Sequence, residues 1–324
     1  MKKNIKTYSK RLLPLIGILI LILTIYNLDI AEIKNAFFSI KAIFIVISLS
    51  LTIPRLIIRN YAWIIIQREQ KINLGFWESF KILLIGYFYG TISPGYIGRL
   101  VRIMYIKERT NDAYGKLFIN TVIEAICHTL SLYIMIIFGA ILVLEKFPIL
   151  LTFTVGWIIV LFLIMLFFVK KERGERLFYL LIRVFIPKKI KTKFNAFVDT
   201  FYNDFPKVNS LFLPIFLGIF TWVLIFSQYY VFIIALGINV SFLYFLLIFP
   251  VANVISYIPI SFAGLGTREL SAVFLFSTLF GVVKEEILVV SLMGFIISDL
   301  VTGFIGFLLS LTETRERNKK SIAY

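Results

Sequence analysis

Apolar residues run along this chain in long blocks and do not alternate one by one with polar ones. The blocks 12–27, 42–66, 117–143, 149–169, 211–236 and 286–310 each approach the ~20 residues that a helix needs to cross a ~30 Å hydrocarbon core. Two further apolar regions, 76–108 and 242–281, are interrupted in the middle, the first at Ser93-Pro94-Gly95 and the second between Pro259 and Gly266. Their arms, about 15 to 18 residues long, are marginal as full crossings. A spanning segment must satisfy its own backbone hydrogen bonds, so blocks without strict alternation predict helices and argue against a β-barrel. The predicted fold class is therefore all-α: a polytopic membrane bundle of six full spans plus two broken, re-entrant-like helix pairs.

Composition supports that reading. A chain of 324 residues that is 60% hydrophobic, with a mean hydropathy of +0.92, carries more apolar surface than one aqueous core can bury. The block at 12–27 follows Lys2, Lys3, Lys6, Lys10 and Arg11 as a signal peptide would, but no small-residue cleavage motif comes after it, so it reads as a retained first span. Cys127 and His128 are the single cysteine and the single histidine, and both fall inside an apolar block. They cannot supply a disulfide framework or a Cys/His metal site, so no metal and no cofactor are expected.

A net charge of +16 in a soluble protein would suggest nucleic acid, but here its distribution follows the positive-inside rule. If each broken region returns to the side it left, the segments 1–11, 67–75, 105–116, 170–210 and 312–324 share one side and carry 24 of the 34 Lys and Arg residues. The opposite side carries Lys34, Lys41, Lys146 and Lys284. That asymmetry puts both termini in the cytoplasm of a plasma-membrane protein; two short spans in place of each hairpin would give the same parity. The domain reading is one integral membrane unit, 1–324. It comprises a basic N-terminus at 1–11, a first half at 42–143, a cytoplasmic segment at 170–210, a second half at 211–310 and a tail at 311–324. Segment 170–210 interleaves bases with Leu and Phe, as an interfacial amphipathic helix or an ordinary positive loop would.

The two broken regions have opposite orientation and echo each other in sequence. Tyr61 leads through Gly75 and Phe76 to Pro94, Gly98 and Arg99, and Tyr230 leads through Gly237 and Phe242 to Pro259, Gly266 and Arg268. This predicts an inverted repeat, the device with which transporters place a site between broken helices near the midplane.

Six basic residues remain at membrane depth: Arg55, Arg59, Lys81, Arg99, Arg102 and Arg268. The acids available to them are Glu124, Glu269 and Asp299, with Glu78 near an interface. A charge at the centre of a helix costs about 2.5 to 3.5 kcal/mol even on a lenient insertion scale, so an excess of buried cation points to an anionic ligand. Lys81 and Arg102 lie close enough to the hairpin bases to snorkel. At each break a proline ends one arm, glycines (Gly95 and Gly98, or Gly264 and Gly266) allow close backbone approach, and the next arm starts with free amides. Arg99 and Arg268 follow the breaks, each adding a fork of donors matched to phosphate oxygens. Arg268 and Glu269, being adjacent, point about 100° apart on a helix and each want another partner. Glu124 and His128, four residues apart, could hydrogen-bond as a proton-accepting pair, and Asp299 could be the counter-ion of Arg268, Arg55 or Arg59. The candidate headgroup-binding set is Arg99, Arg102, Arg268, Arg55 and Arg59. No nucleophile elbow, Walker loop or metal-ligand spacing is present.

Pro94-Gly95-x-x-Gly98-Arg99-x-x-Arg102, taken with Pro259-x-Ser261-x-x-Gly264-x-Gly266-x-Arg268-Glu269, resembles the lysylphosphatidylglycerol synthase transmembrane family of flippase-like integral membrane proteins. The resemblance spans about residues 10–312. Members usually have Gly-Glu-x-x-Arg in the first motif, and this chain has arginine, Arg99, where that acid stands. The resemblance implies a translocator that moves a lipid between leaflets: an anionic or aminoacylated phospholipid, or a polyprenyl-phosphate-linked lipid. It also implies no aminoacyl transfer, which in bifunctional members belongs to a soluble domain. Membrane lipids are the expected partners, with an envelope-lipid or glycan-synthesis enzyme as a further one and nucleic acid excluded. Two other readings stay open at this point: a membrane transferase using a polyprenyl-phosphate donor, and a scaffold or regulator of envelope synthesis.

Overall fold

The computed structural model describes residues 15–145, 148, 152, 155, 156, 159 and 203–322, and every regular element among them is helical. Four of these helical stretches are long and apolar enough to cross a membrane: Ala42–Glu69, Tyr114–Leu142, Val208–Ala235 and Lys284–Glu313. They match four of the predicted spans to within a few residues. Their outer faces carry exposed Phe138, Phe216, Phe220, Phe304 and Leu308, which suits lipid and not water. The candidate span at 149–169 lies almost wholly outside the described residues, as does 170–202 of the basic segment.

The first span differs from expectation. Helix α1 (Leu15–Tyr26) bends by 98° into α2 (Ile30–Ser39), which lies between the predicted spans 12–27 and 42–66. Asp29 starts α2 by accepting the Ala31 N–H at 2.7 Å and the Glu32 N–H at 3.3 Å, a side-chain N-cap. The next span is α3 (Ala42–Ser50) continued by α4 (Thr52–Glu69).

Both interrupted regions break where the prolines and glycines predict. In the first, α5 (Phe76–Thr91) ends before Pro94, a 3₁₀ turn covers Ile97–Val101, and α6 (Arg102–Thr110) returns. After the long α7 (Tyr114–Leu142) and α8 (Phe212–Ala235) comes the second region, in which α9 (Phe242–Val254) gives way across 258–266 to α10 (Thr267–Phe280). The last span is α11 (Lys284–Phe295), a π turn at Ile296–Val301, and α12 (Thr302–Ile322).

The two breaks meet. Pro94 and Phe262 pair as an isolated antiparallel bridge, and the Tyr96 hydroxyl donates to the Ala263 carbonyl at 3.0 Å. Tyr96 and Ala263 both hold positive φ, 59° and 47°, which residues other than glycine rarely adopt. The break backbone is thus satisfied by protein, as a polar backbone at membrane depth requires. The interior is not fully roofed, because Ile97, Ile258 and Pro259 are exposed beside the junction. Helix α1 closes another side: the Gly17 N–H donates to the Ile260 carbonyl at 3.0 Å. A Cβ at Gly266 would lie 1.8 Å from the Gly17 carbonyl oxygen. Backbones approach as closely elsewhere in the bundle, at Gly139 against Leu247 and Gly306 against Leu84, as expected for helices packed without a hydrophobic drive between them.

Gly266→Ala should therefore combine a backbone strain of about 1–3 kcal/mol at φ +89° with that clash, whereas Gly281→Ala, at φ +65° with open space around it, should cost about 1 kcal/mol. Thermal unfolding of both variants in detergent checks the order; equal losses would contradict the packing of α1 on the second break.

Candidate functional site

Helix α5 carries the floor of the site. Gly86 and Gly90 face the returning arm of their own hairpin, and a Cβ there would lie 2.6 Å from Cδ of Arg102 and 2.8 Å from Cγ of Arg99. The missing side chains make the groove in which the stems of both arginines lie. Tyr87, between the two glycines in sequence, presents its ring to three guanidinium groups, with Arg59, Arg99 and Arg55 at 5.0, 5.3 and 5.7 Å from its centroid. Arg99 also lies 4.2 Å from the Tyr96 centroid. Each such contact stabilises by about 0.5–2 kcal/mol, which offsets part of the repulsion between neighbouring guanidinium groups: two charges about 8 Å apart at an effective dielectric of about 20 repel by about 2 kcal/mol.

The acids divide unequally among these cations. Glu124 on α7 takes two arginines at once, Arg59 at 2.9 Å on one oxygen and Arg102 at 2.6 Å on the other. Arg102 is 1% exposed, so it is not a snorkelling residue as its position near a hairpin base suggested; the α5 groove and the pair with Glu124 turn it inward. Lys81 is exposed and fits the snorkelling reading. Glu124 and His128 are not joined by the direct hydrogen bond that their spacing suggested. Arg59 inserts between them, with its Nη1 3.0 Å from His128 Nε2 and 2.8 Å from the Tyr87 hydroxyl. Because arginine only donates, Nε2 accepts, which makes the imidazole neutral with its proton on Nδ1. The ring stacks on Trp222 at 4.4 Å.

Asp299 forms no ion pair among the described residues, contrary to its expected role as counter-ion. The π turn of the last span aims it into the interior, where it accepts from Ser298 Oγ at 2.6 Å and from the Tyr96 hydroxyl at 3.2 Å. The same turn gives Arg55 its partners, the Ser298 carbonyl at 3.0 Å and the Thr302 hydroxyl at 2.8 Å. A single π turn inside an α-helix frees backbone groups in this way and is common at functional sites.

Arg268 and Glu269 do pair, at 2.6 Å, although their helical angle argued against it. Glu269 reaches back along the axis to accept the Gly266 N–H, the half of a capping box that a glycine N-cap allows, and that places its carboxylate where the long Arg268 side chain can wrap to meet it. Both are fully buried behind Tyr229 and Phe295 and form no part of the central cavity wall.

The central cavity, between α4, α5, α8, the first break and the last span, is narrow, with a water-accessible volume of about 20 Å³. Arg55, Arg59 and Arg99 line it together with Tyr87, Tyr96, His128 and Tyr257, and Asp299 is the carboxylate on its wall. Two of the lining arginines, Arg55 and Arg99, have a buried Nε with no hydrogen-bond partner among the described residues. A buried unsatisfied donor on a charged group costs more than the 1–3 kcal/mol of a neutral one. Pro94, Gly95, Gly98, Gly264 and Gly266 shape the breaks beside the cavity but supply no wall side chain. A second, smaller space with a water-accessible volume of about 10 Å³ lies on the far side of the Arg59–Glu124–His128 cluster, against Ala62, Ile66, Pro214, Gly218 and Thr221. The tyrosines, the Gly86/Gly90 groove and the π turn were not anticipated. A Gly-x-x-x-Gly spacing in α5 was the one signal available for the groove, and Tyr87 lies inside it. No group of His, Cys, Asp and Glu among the described residues could hold a metal ion.

Glu124→Gln should lower stability by about 3–5 kcal/mol, because it strands two buried guanidinium groups. Asp299→Asn, whose amide oxygen still accepts from Ser298 while its NH₂ can donate to a Tyr96 hydroxyl that gives its own proton to the Ala263 carbonyl, should cost less than about 1 kcal/mol. Denaturation in detergent distinguishes the two, and similar losses would contradict the assignment of Glu124 as the shared partner.

No curated protein and no solved structure matches this chain. The family model described as the lysylphosphatidylglycerol synthase TM region matches residues 12–306. A match over nearly the whole length, across spans, breaks and cavity alike, shows that the chain is a membrane protein belonging to the lysylphosphatidylglycerol synthase TM region family.

Proposed function

We propose that the protein is a lipid translocator that carries an anionic lipid headgroup through the central cavity, with the acyl chains remaining in the bilayer. The observation that carries this reading is the pair of unsatisfied buried donors, Arg55 Nε and Arg99 Nε, on two arginines that line a cavity whose arginines outnumber its acids. A phosphate-type group supplies several acceptor oxygens at once, and guanidinium–oxyanion bonds are among the strongest available in a dry site. The exposed apolar rim of Ile97 and Ile258 beside the polar cavity suits an amphipathic cargo.

In this reading Arg99 and Arg55 bind the headgroup first, and Arg59 joins by exchanging Glu124 for phosphate. Arg102 stays on Glu124, so the carboxylate is never left bare. Arg268 and Glu269 hold the second break in shape and do not meet the cargo. The two halves, 42–143 and 211–310, act as inverted repeats that part at the Pro94–Phe262 junction, and the protein lies in the plasma membrane with both termini cytoplasmic. It performs no covalent chemistry on the lipid.

Arg99→Lys tests the reading, since a point charge keeps the sign but loses the planar fork. In reconstituted vesicles assayed for leaflet exchange of a labelled anionic phospholipid, it should reduce the rate about tenfold or more at equal folded yield, the equivalent of about 1.4 kcal/mol. An unchanged rate would remove Arg99 from the headgroup site.

A further inference from the structure

His128 lines both internal spaces, the central cavity and the second one, and its Nε2 is occupied by Arg59. That contact sets up a competition. The lone pair on Nε2 can accept the Arg59 Nη1–H or hold a proton of its own, but not both, because a protonated imidazole is a donor at both nitrogens. Arg59 is also the arginine that must move for the proposed exchange, as its other contacts go to Glu124 and Tyr87.

We infer that His128 couples anion binding to proton uptake: when a phosphodiester headgroup draws Arg59 into the central cavity, the vacated Nε2 takes a proton from water, and the proton leaves when Arg59 returns. This rests on the headgroup site proposed above and adds its regulation. The bond count balances. Arg59 stays protonated throughout, one N–H···N contact is lost, and one N–H bond forms with a proton drawn from solution.

The surroundings decide whether another group could do the same. From α4 come Arg55 and Arg59, permanently charged, and from α5 comes Tyr87. Arg99 from the first break and Arg102 from α6 add two more fixed charges on the side of Glu124. Across the cavity stand Tyr257 and Asp299, and Trp222 from α8 covers one ring face. On its own helix His128 has Glu124 and Cys127 as titratable neighbours. Among these groups His128 is the one whose ring nitrogen is set free when Arg59 leaves, and the arriving headgroup brings to it a negative charge that favours its protonated form.

The sign follows from linkage. Protons are bound by the anion-loaded form and not by the empty one, so affinity rises as pH falls. With one proton taken up per headgroup bound, binding should tighten as the pH falls from 7.5 to 5.5, by at most tenfold per pH unit. The probe is dioctanoylphosphatidylglycerol, whose phosphodiester keeps its charge over this range, titrated calorimetrically into the detergent-solubilised protein. Buffers of different ionisation enthalpy report proton uptake directly on the wild type, so the result does not depend on any variant folding. His128→Gln keeps a neutral acceptor for Arg59 but cannot titrate, and it should bind with a flat pH profile; Cys127→Ser should keep the slope. PH-independent binding by the wild type, or a slope that persists in His128→Gln, overturns the coupling while leaving the anion site standing. No binding at any pH overturns the anion site and the coupling with it.

Discussion

Everything at the centre of this bundle depends on one carboxylate shared between two arginines. Glu124 holds Arg59 and Arg102 on separate oxygens, both at most 3% exposed, and it thereby ties α7 to α4 and to the returning arm of the first broken pair. In a low-dielectric interior such a pairing is retained only when nearly every donor and acceptor is met, because a stranded buried charge costs several kcal/mol. The neighbouring arginines have no such partner. Arg55 leans on a carbonyl and a hydroxyl, and Arg99 on two aromatic faces. The centre is thus charge-paired where Glu124 reaches and under-compensated at Arg55 and Arg99, although Arg102 too keeps one buried nitrogen, Nη1, without a hydrogen-bond partner among the described residues.

The backbone is arranged to make this possible. Helices broken at Pro94 and across 258–266 bring non-helical segments to membrane depth, and those segments satisfy each other through the Pro94–Phe262 bridge and the Tyr96–Ala263 hydrogen bond. Glycines then set the distances: Gly86 and Gly90 admit the arginine stems, and Gly17 and Gly266 let α1 close over the second break. The π turn in the last span performs the same office for Asp299, turning it toward the cavity and exposing the Ser298 carbonyl to Arg55. Function and fold draw here on one resource, the close approach of backbones through missing side chains.

Much of this was legible in the sequence. The four long spans and both breaks follow from block length and from proline and glycine placement, and Arg55, Arg59, Arg99 and Glu124 stood out because charge inside an apolar block has to be explained. What escaped was set by the third dimension. The mixed polarity of 30–39 gave no span, and the apolar spacing of Ile30, Ile33 and Phe37 that marks it as a helix says nothing of its right-angle turn from α1. The angle between Arg268 and Glu269 predicted separate partners, but the capping bond to Gly266 swings the carboxylate back into reach. Asp299 was counted as a counter-ion by charge alone, and the π turn that withdraws it from the arginines is invisible to a 3.6-residue period. The aromatic faces on which the guanidinium groups rest were overlooked because tyrosine in an apolar block is unremarkable by itself.

The central claim is that the unmet donors of Arg55 and Arg99 exist for a lipid phosphate. The most direct measurement is a cryo-electron microscopy structure of the protein in nanodiscs of native lipid. The account predicts headgroup density in the central cavity with phosphate oxygens within about 2.7–2.9 Å of guanidinium nitrogens of Arg55 and Arg99. A map that resolves both side chains, with no phosphate beside them and with their donors taken up by protein carbonyls or carboxylates, would contradict it.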